Sequence, residues 1–253
     1  MNQYTKLYNE ARQLICEHSA YVMNAVRDKA AAAFAAQGFP TRKVERYKYT
    51  DVAEAFAPDY GLNLSRIDIP VRTEEAFSCD VPNISTLQYF VVNDQPQLSV
   101  ASDSVSAPLI TSLRQASTLT PELVAPYYSR LARVEKDAIT ALNTMLAQDG
   151  LFIYIPSGCT VVQPIQIVNI LRSDVEMMVN RRVLIVAEEG AKATLLFCDH
   201  TADRRRFLTT QVAEVFIGDG ADIELYGLEE NNTLTHRFSN TYIKQGAQSR
   251  LTH

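Results

Sequence analysis

Residues 182–200 read RVLIVAEEGAKATLLFCDH, and their pattern indicates the fold. It contains a strand-like apolar run, a turn with Gly followed by a small residue, and a second strand-like run. Three further stretches follow the same plan: LFIYIPSGCTVVQPIQIVNI (151–170), AEVFIGDGADIELYGLEE (213–230) and NTYIKQGAQSRLTH (240–253). A recurring two-strand unit cannot bury its apolar face alone, so the repetition indicates a solenoid in which successive units stack.

The units are marked by glycines at their turns. Gly158, Gly190, Gly220 and Gly246 are spaced by 32, 30 and 26 residues. Because each unit has two strands and no helix, a β-helix fits better than a leucine-rich or ankyrin array. Gly followed by Ala or Cys suits a corner where the backbones of successive rungs approach closely. An antiparallel sandwich with glycine turns is the alternative, because alternation of residues alone does not exclude it.

The N-terminal part is predicted to be helical. Apolar residues recur at three- and four-residue steps over residues 3–37, and Gly38 and Pro40 end that run. A short helix is expected to begin at Asp51, whose side chain can cap it. We therefore predict a helical N-terminal region over residues 1–58.

The middle of the chain, residues 59–150, is predicted to be a mixed α/β region. Asp149-Gly150 ends it, and the first rungs of the β-helix core then occupy residues 151–253. The middle region contains an irregular segment (58–85), a β-hairpin (QYFVV, 88–92, with QLSV, 97–100) and a helix (121–148).

Composition favours an intracellular protein. The chain has 253 residues and a formal net charge of −5, so it carries no global attraction to nucleic acid or anionic membrane. No secretory signal opens the sequence, and no apolar run approaches the roughly 20 residues that span a bilayer. Its four cysteines form no C-x-x-C pair, which argues against a zinc ribbon or a self-contained Cys-ligated cluster. We expect a cytoplasmic protein with free thiols.

Two histidines are candidates for chemistry. Cys198 and His200 stand at positions i and i+2, on one face of a predicted strand, as a metal site or a nucleophile would require. Leu196 shares that face, however, so a small buried hydrophobe is the favoured interpretation of Cys198. His236 has no carboxylate or Cys beside it and is expected to be structural or exposed. The run Arg204–Arg206 is expected to be a solvated loop.

Two pairs of acidic residues are compatible with a carbohydrate-active enzyme. Glu188-Glu189 and Glu229-Glu230 lie beside predicted strands, and β-helix enzymes acting on polysaccharides use acidic clusters. A carbohydrate-active enzyme is therefore the alternative function. The sequence has no Walker-type loop, G-x-G-x-x-G, H-E-x-x-H or G-x-S-x-G motif. We assign no catalytic, cofactor-binding or metal-ligating residue, and expect a non-catalytic protein.

Residues 38–51, GFPTRKVERYKYTD, interleave basic and aromatic side chains. Such a pattern suits a single-stranded nucleic-acid groove, where cations follow phosphates and rings stack on bases. The alternative is a structural role: a connector whose Tyr rings are buried while its Lys and Arg stems extend outward. The connector is favoured because the chain is acidic and carries no other nucleic-acid motif.

Two motifs resemble the SufB/SufD family. The first has Pro40, Arg42, Lys43, Glu45, Tyr47, Lys48, Tyr49, Thr50 and Asp51 in the family's order, although many relatives carry Trp where this chain has Tyr47. The second is ALNTMLAQDGLFIYIPSG (141–158), which resembles the entry into the family's β-helix core. The resemblance runs from about residue 38 onward, and the first motif points to the SufD branch.

The resemblance implies a scaffold component of the SUF iron–sulfur cluster assembly machinery. Such a chain would pair with a SufB-like paralogue and a SufC-like ABC ATPase, and the cluster would reside transiently on the full complex rather than on this chain alone. The implied fold is mainly β with an α-helical N-terminal region (α+β), continuing into a right-handed parallel β-helix. The resemblance also implies that the family's C-terminal half, with its functional residues, lies beyond His253. We expect that half, or a second copy pairing at the open edge, to cover the last rung.

Overall fold

The computed structural model describes residues 2–71, 85–97 and 107–253. Its helices are α1 (Gln3–Glu17), α2 (Tyr21–Asn24), α3 (Arg27–Gln37), α4 (Val52–Ala55), α5 (Leu113–Leu119), α6 (Pro121–Val124) and α7 (Ala138–Leu146), with a 3₁₀ turn at Glu45–Tyr47. Its strands are β1 (Leu87–Val92), β2 (Gln95–Gln97), β3 (Leu109–Ser112), β4 (Leu151–Ile155), β5 (Ile165–Leu171), β6 (Met177–Ala187), β7 (Lys192–Thr201), β8 (Phe207–Ile217), β9 (Asp222–Glu230), β10 (His236–Gln245) and β11 (Arg250–Thr252).

The strands form a parallel β-solenoid of about three turns. A five-stranded sheet has the order β10-β8-β6-β4-β3, and a six-stranded sheet has the order β11-β9-β7-β5-β1-β2. All neighbours are parallel except β2 on β1 and β3 on β4, which are antiparallel. The parallel pairing confirms the predicted β-helix and excludes the antiparallel sandwich. The right-handed sense stays a prediction.

Stacked aliphatic side chains fill the interior between the two sheets. Ile153, Ile185 and Val215 line the five-stranded sheet, while Ile167 and Leu195 face them from the six-stranded sheet. Burial of each such side chain contributes about 1.5–3 kcal/mol. Because side chains alternate along a strand, the remaining residues of each strand face outward, and helix α7 packs on the outer side of the five-stranded sheet.

The corners correct one expectation. Gly158, Gly190 and Gly220 adopt φ of 67°, 67° and 65°, the left-handed conformation that glycine tolerates. At the fourth corner the left-handed residue is Gln248, with φ of 56°, so the last spacing is 28 residues rather than 26. Gly246 instead lies beside Gly218, because Gln245 pairs with Ile217. A Cβ on Gly246 would stand 2.7 Å from the backbone nitrogen of Asp219, so close stacking explains that glycine.

The continuous helix expected over residues 3–37 is three helices, because the chain turns to bring Arg27 inward. The Arg27 guanidinium donates to Ser19 Oγ, to Asn24 Oδ1 and to the backbone carbonyls of Met145 and Ala147. Those carbonyls lie at the end of α7, where the last turn of a helix leaves acceptors free. The breaks between α1, α2 and α3 therefore place the Arg27 guanidinium where it donates to the free carbonyl groups at the end of α7.

The helix expected over residues 121–148 is also interrupted, and only α6 and α7 form. Backbone N–H groups of Ser129, Leu131 and Ala132 donate to the buried carboxylate of Glu214 instead of to carbonyls four residues earlier. A charged acceptor from β8 thus outcompetes the helical hydrogen bonds of this segment.

Other predicted elements are confirmed. The hairpin forms between β1 and β2, while residues 98–100 lie outside the described residues. Asp51 caps α4 by accepting the N–H of Glu54 at 3.1 Å. Within the irregular segment, residues 58–71 contain an isolated bridge from Gly61 to β6, and the remainder up to residue 84 is not described. The division into three regions stays a prediction, although β1, β2 and β3 belong to the solenoid sheets.

Candidate functional site

The connector, residues 38–51, is fastened to the rest of the molecule by the buried carboxylate of Asp137. Tyr47 donates its hydroxyl to Asp137 Oδ2 at 2.8 Å, and Arg46 Nη1 reaches the same oxygen at 3.1 Å. Tyr47 is only 7% exposed, whereas the Arg46 side chain remains half in solvent. An ion pair that is closed on one side by an aromatic ring is less screened by water than a surface pair.

Asp137 also holds two elements of the core together. Its Oδ1 accepts the backbone N–H of Thr140 at 2.8 Å and so caps α7. The same oxygen accepts Asn240 Nδ2 of β10 at 2.9 Å. One carboxylate therefore joins the connector, the start of α7 and a solenoid strand.

Burial and the charge of Asp137 raise the pKa of Tyr47 above its usual value. The tyrosine consequently stays protonated throughout the physiological range, which the geometry requires because the hydroxyl must donate to a carboxylate. The interaction does not switch with pH near neutrality.

The predicted burial of connector aromatics is confirmed for Tyr47 and wrong for Tyr49. Tyr49 is 92% exposed, and the Lys48 ammonium lies 5.5 Å from its ring centroid. The 3₁₀ turn ends at Tyr47, so the chain direction changes and turns the next aromatic side chain toward water. Arg42 extends outward and pairs with Asp51 at 3.4 Å. A cleft of about 490 Å³ lies between the connector and the outer side of β10.

A second charged group is buried under the loop between α6 and α7. Arg182 of β6 and Glu214 of β8 form a fully buried ion pair of 2.7 Å. The guanidinium lies 4.7 Å from the ring centroid of Tyr128, and Glu214 accepts the loop's backbone N–H groups at 2.7–3.0 Å. The pair thus fixes the loop on the outer face of the sheet.

The residues of the second motif have structural roles. Asn143 Nδ2 donates to the carbonyls of Arg181 and Thr210 and so joins α7 to two adjacent strands. Asp149 accepts the N–H of Gly150 at 2.7 Å. A Cβ on Gly150 would lie 2.0 Å from the carbonyl oxygen of Arg182, so only glycine fits there.

The structure confirms the burial predicted for Cys198, which has no exposed surface. Its Sγ accepts a hydrogen bond from Gln166 Nε2 at 3.4 Å. His200 is buried nearby, with Nδ1 3.3 Å from Glu230 Oε2. Within residues 2–71, 85–97 and 107–253, no group of three His, Cys, Asp or Glu side chains is placed to hold a metal ion.

His236 and the arginine run lie where the sequence predicted. His236 is exposed at the start of β10. Arg204 and Arg205 are exposed in the loop between β7 and β8, and Arg206 Nε lies 3.8 Å from Glu176. None of these side chains converges on Cys198.

The two acid pairs lie at opposite corners of the solenoid. Glu188-Glu189 occupy the turn before β7, while Glu229-Glu230 end β9 on the far side. The ten-residue strand β7 separates those corners by roughly 30 Å. Paired carboxylates of glycosidases stand about 5–10 Å apart, so these acids do not form one such site.

Sequence reasoning missed Asp137, Arg182 and Glu214. The sequence signal for Asp137 is an acidic residue three positions before Thr140, at the start of an apolar run, which is typical of a helix N-cap. It was missed because a longer helix was expected there. The signal for the ion pair was a charge inside each of two strands that are otherwise apolar. A buried charge requires a partner, and that partner lies 32 residues away, one rung apart.

These features define a class: a β-solenoid protein whose helical N-terminal region is fastened to the outer face of the solenoid. Among the described helices none is long and apolar enough to cross a membrane. The profile of the SufBD protein N-terminal region matches residues 1–167, and that of the SUF system FeS cluster assembly SufBD core domain matches residues 169–253. The chain therefore belongs to the SufB/SufD family of SUF-system iron–sulfur cluster assembly proteins.

Three similar relatives carry SUF or ABCI names. The iron–sulfur cluster assembly protein SufD of Bacillus subtilis (strain 168) is 30% identical over 125 residues, 49% of this chain and 27% of the relative. The chloroplastic protein ABCI7 of Arabidopsis thaliana is 24% identical over 241 residues, 91% and 49% of the two chains. The Arabidopsis SufBD family protein ABCI9 is 25% identical over 179 residues, 69% and 37%. The chain spans about half or less of the length of these relatives.

Proposed function

We propose that the chain is a SufD-type, non-catalytic scaffold subunit of an iron–sulfur cluster assembly complex. It would pair with a SufB-like paralogue and a SufC-like ABC ATPase in the cytoplasm. The observation that carries the proposal is the fastening of the connector, since the motif residues Arg46 and Tyr47 meet Asp137 and thereby link to β10. A scaffold needs its helical region held in a defined position on the solenoid, and this contact supplies such a link.

One likeness of sequence supports the SufD branch over the SufB branch. The connector carries the SufD-like order of proline, basic residues, glutamate and aromatic residues. Identity does not separate the branches, because a SufD protein and the SufBD family protein ABCI8 are both 30% identical to the chain over about half of its length. The choice of branch therefore requires a functional test.

The iron–sulfur cluster is cargo in this proposal, assembled on the whole complex and not held by this chain alone. Cys198, which lies two residues from His200, is fully buried and already accepts a hydrogen bond from Gln166. Ligands to the cluster would then come from other parts of the complex.

The first experiment is purification of the natural gene product with a tag at its N-terminus, followed by mass spectrometry of the proteins that accompany it. We expect a SufB-like protein and an ABC ATPase in stoichiometric amounts. The same tag on an unrelated protein of the host provides the control. Recovery without either partner would refute the scaffold assignment. Light scattering of the purified chain tests the alternative in which two copies pair at the open edge.

The second experiment separates the two branches. The gene is expressed in strains that lack either SufD or SufB, under conditions where growth requires the SUF system. Restored growth only in the strain without SufD is the expected result. Rescue of the strain without SufB, and not of the other, would assign the chain to the SufB branch.

A further inference from the structure

The solenoid interior changes from apolar to polar along its strands. On the inner face of β6, Arg181 lies two residues before Val183, which belongs to the aliphatic interior. On β8, Gln211 and Thr209 continue the same inner face beyond Ala213. Arg237 is their counterpart on β10. The interior therefore carries a polar band on three consecutive rungs, beyond which Val179 and Phe207 are apolar again.

The pairing register brings these four side chains together. Arg181 pairs with Gln211, and Thr209 pairs with Arg237. Paired residues on adjacent strands are about 5 Å apart, and residues two apart on one strand are about 7 Å apart. The four side chains thus form one compact patch, which we call the lumen patch (Arg181, Thr209, Gln211 and Arg237).

Each member of the lumen patch has an unsatisfied polar atom. Arg181 Nη2, Thr209 Oγ1, Gln211 Oε1 and Arg237 Nε are buried and have no hydrogen-bond partner among the described residues. A buried donor or acceptor without a partner costs about 1–3 kcal/mol. Four such atoms on one patch point to a small ligand that satisfies several of them at once.

Two guanidinium groups of the patch contact the same buried carboxylate. Arg181 Nη1 and Arg237 Nη2 contact the two oxygens of a single buried carboxylate, Asp199, the second at 3.3 Å. Arg237 also pairs with Glu229, but that carboxylate is 56% exposed and largely screened by solvent. Burial lowers the pKa of Arg181 and the charge of Arg237 adds to that effect, while the carboxylates of Asp199 and Asp94 oppose it. Asp199 is the buried carboxylate that contacts both guanidinium groups.

We propose that the lumen patch binds a small monovalent anion of the chloride class. Arg181 Nη2, Arg237 Nε and the Thr209 hydroxyl are the donors, and the anion adds to the negative charge that Asp199 supplies to the two guanidinium groups. Rotation of the Gln211 amide by half a turn presents its N–H group in place of the unpartnered Oε1 and supplies a further donor. A cavity of about 290 Å³ is lined in part by Gln211, Glu229 and Arg237, and thus by two members of the patch.

The test is independent of the proposed function. Melting of the purified chain is followed in sodium chloride, bromide and gluconate at one ionic strength, together with the ³⁵Cl NMR line width. We expect the two halides to raise the melting temperature in a saturable manner and gluconate to leave it unchanged. The chloride line should broaden with protein and narrow when bromide competes. Equal melting in all three salts without line broadening would show that only water occupies the patch.

Variants locate the site. Arg181→Met removes one donor and one charge and should abolish halide stabilisation. Thr209→Val keeps the side-chain shape, removes the hydroxyl donor, and should weaken halide affinity by about tenfold. The matched control is Thr194→Val, whose hydroxyl bonds Glu224 on the opposite face of the other sheet. If Arg181→Met does not fold, Thr209→Val decides: wild-type halide affinity in that variant would overturn the proposal.

Discussion

Asp137 shows how one residue can join three parts of a chain. Its carboxylate is buried, yet it accepts hydrogen bonds from a tyrosine, an arginine, a helix N-terminus and an asparagine. A buried carboxylate is tolerated when its oxygens are satisfied in this way, and it becomes costly when one donor is removed.

Tyr47→Phe should destabilise the chain by about 2 kcal/mol, because it removes a hydrogen bond to a buried charge. Urea unfolding measures the change in the free energy of unfolding. Tyr49→Phe is the matched control, since Tyr49 is exposed, and it should change stability by less than about 0.5 kcal/mol. Equal effects of the two substitutions would contradict the role given to Tyr47.

Asp28 should make stability depend on acid pH. Hydrogen bonds from Arg12 and Tyr8 lower its pKa to about 2. A lowered folded-state pKa contributes stability above the unfolded value of about 4, and that contribution disappears as pH falls toward 2. Asp28→Asn should therefore reduce the loss of unfolding free energy between those pH values.

Arg12→Met offers a check on that interpretation. It leaves Asp28 in place but removes the main donor, so the carboxyl pKa measured by NMR should rise toward its ordinary value. An unchanged Asp28 pKa in Arg12→Met would show that the ion pair does not form in solution.

Prediction from sequence at the residue scale succeeded where local pattern and burial agree. Burial of Tyr47 is predicted by the interpretation of residues 38–51 as a connector whose Tyr rings face the core while its Lys and Arg stems extend outward. The exposure of Tyr49 was not predictable, because it depends on where the 3₁₀ turn ends. Asp137 and Asn240 are 103 residues apart, and a single sequence carries no sign of that hydrogen bond.

At the scale of elements, rung register depends on the corner residues. Three corners place glycine in the left-handed conformation and the fourth places Gln248 there. A non-glycine residue in that conformation costs about 1–2 kcal/mol. The fourth corner is thus the strained one.

Gln248→Gly should stabilise the last rung. Relief of strain is partly offset by the greater freedom of glycine in the unfolded chain, so we expect a gain of about 0.5–1 kcal/mol. Thermal unfolding provides the measurement. The reverse change, Gly220→Gln, should destabilise; a loss of stability in Gln248→Gly would mean that the side chain itself makes a needed contact.

The buried pair of Arg182 and Glu214 should respond asymmetrically to substitution. Arg182→Met leaves a carboxylate that still accepts three backbone N–H groups, and should cost about 3 kcal/mol. Glu214→Leu leaves both the buried guanidinium and those N–H groups without a partner. The loss in free energy of unfolding should therefore exceed about 5 kcal/mol.

The double variant completes this test. It should remain less stable than Arg182→Met alone, because the loop's N–H groups stay unsatisfied. Full recovery of the unfolding free energy in the double variant would show that the loop does not depend on Glu214.

Helix boundaries were the least predictable elements. Apolar periodicity indicated helix correctly over most of residues 3–37, but the breaks follow the inward turn of Arg27. The segment between α6 and α7 has helical periodicity and is nonetheless a loop. In both places a long-range hydrogen bond to a charged group overrides the local preference.

At the scale of the molecule, the solenoid could be predicted because the same two-strand sequence pattern recurs along the chain. Four similar units each indicated two strands, and the parallel sheets confirm them. The contact between the helical region and the solenoid occurs only once in the described residues, so no repeated sequence pattern predicts it. The polar part of the interior was likewise hidden among strands whose charges have no local partner.

The contact through Asp137 predicts coupled motion of distant segments. In Asp137→Ala, hydrogen exchange measured by mass spectrometry should rise both in the connector and in β10, residues 236–245, because both lose the same acceptor. Exchange in β6 should stay as in the wild type. Asp174→Ala, an exposed acid in a loop, is the control. A rise confined to the connector would show that β10 is held independently.

The stacking order of the strands bears on how the chain folds as it is made. Each rung lies on the one about 30 residues earlier, and β3 and β4 are available before any later strand of their sheet. At 5–20 residues per second, a ribosome releases one rung every few seconds, far longer than strand pairing takes. The solenoid can thus add rungs in the direction of synthesis. Each new strand can pair with a strand that has already folded, before the next rung is synthesised.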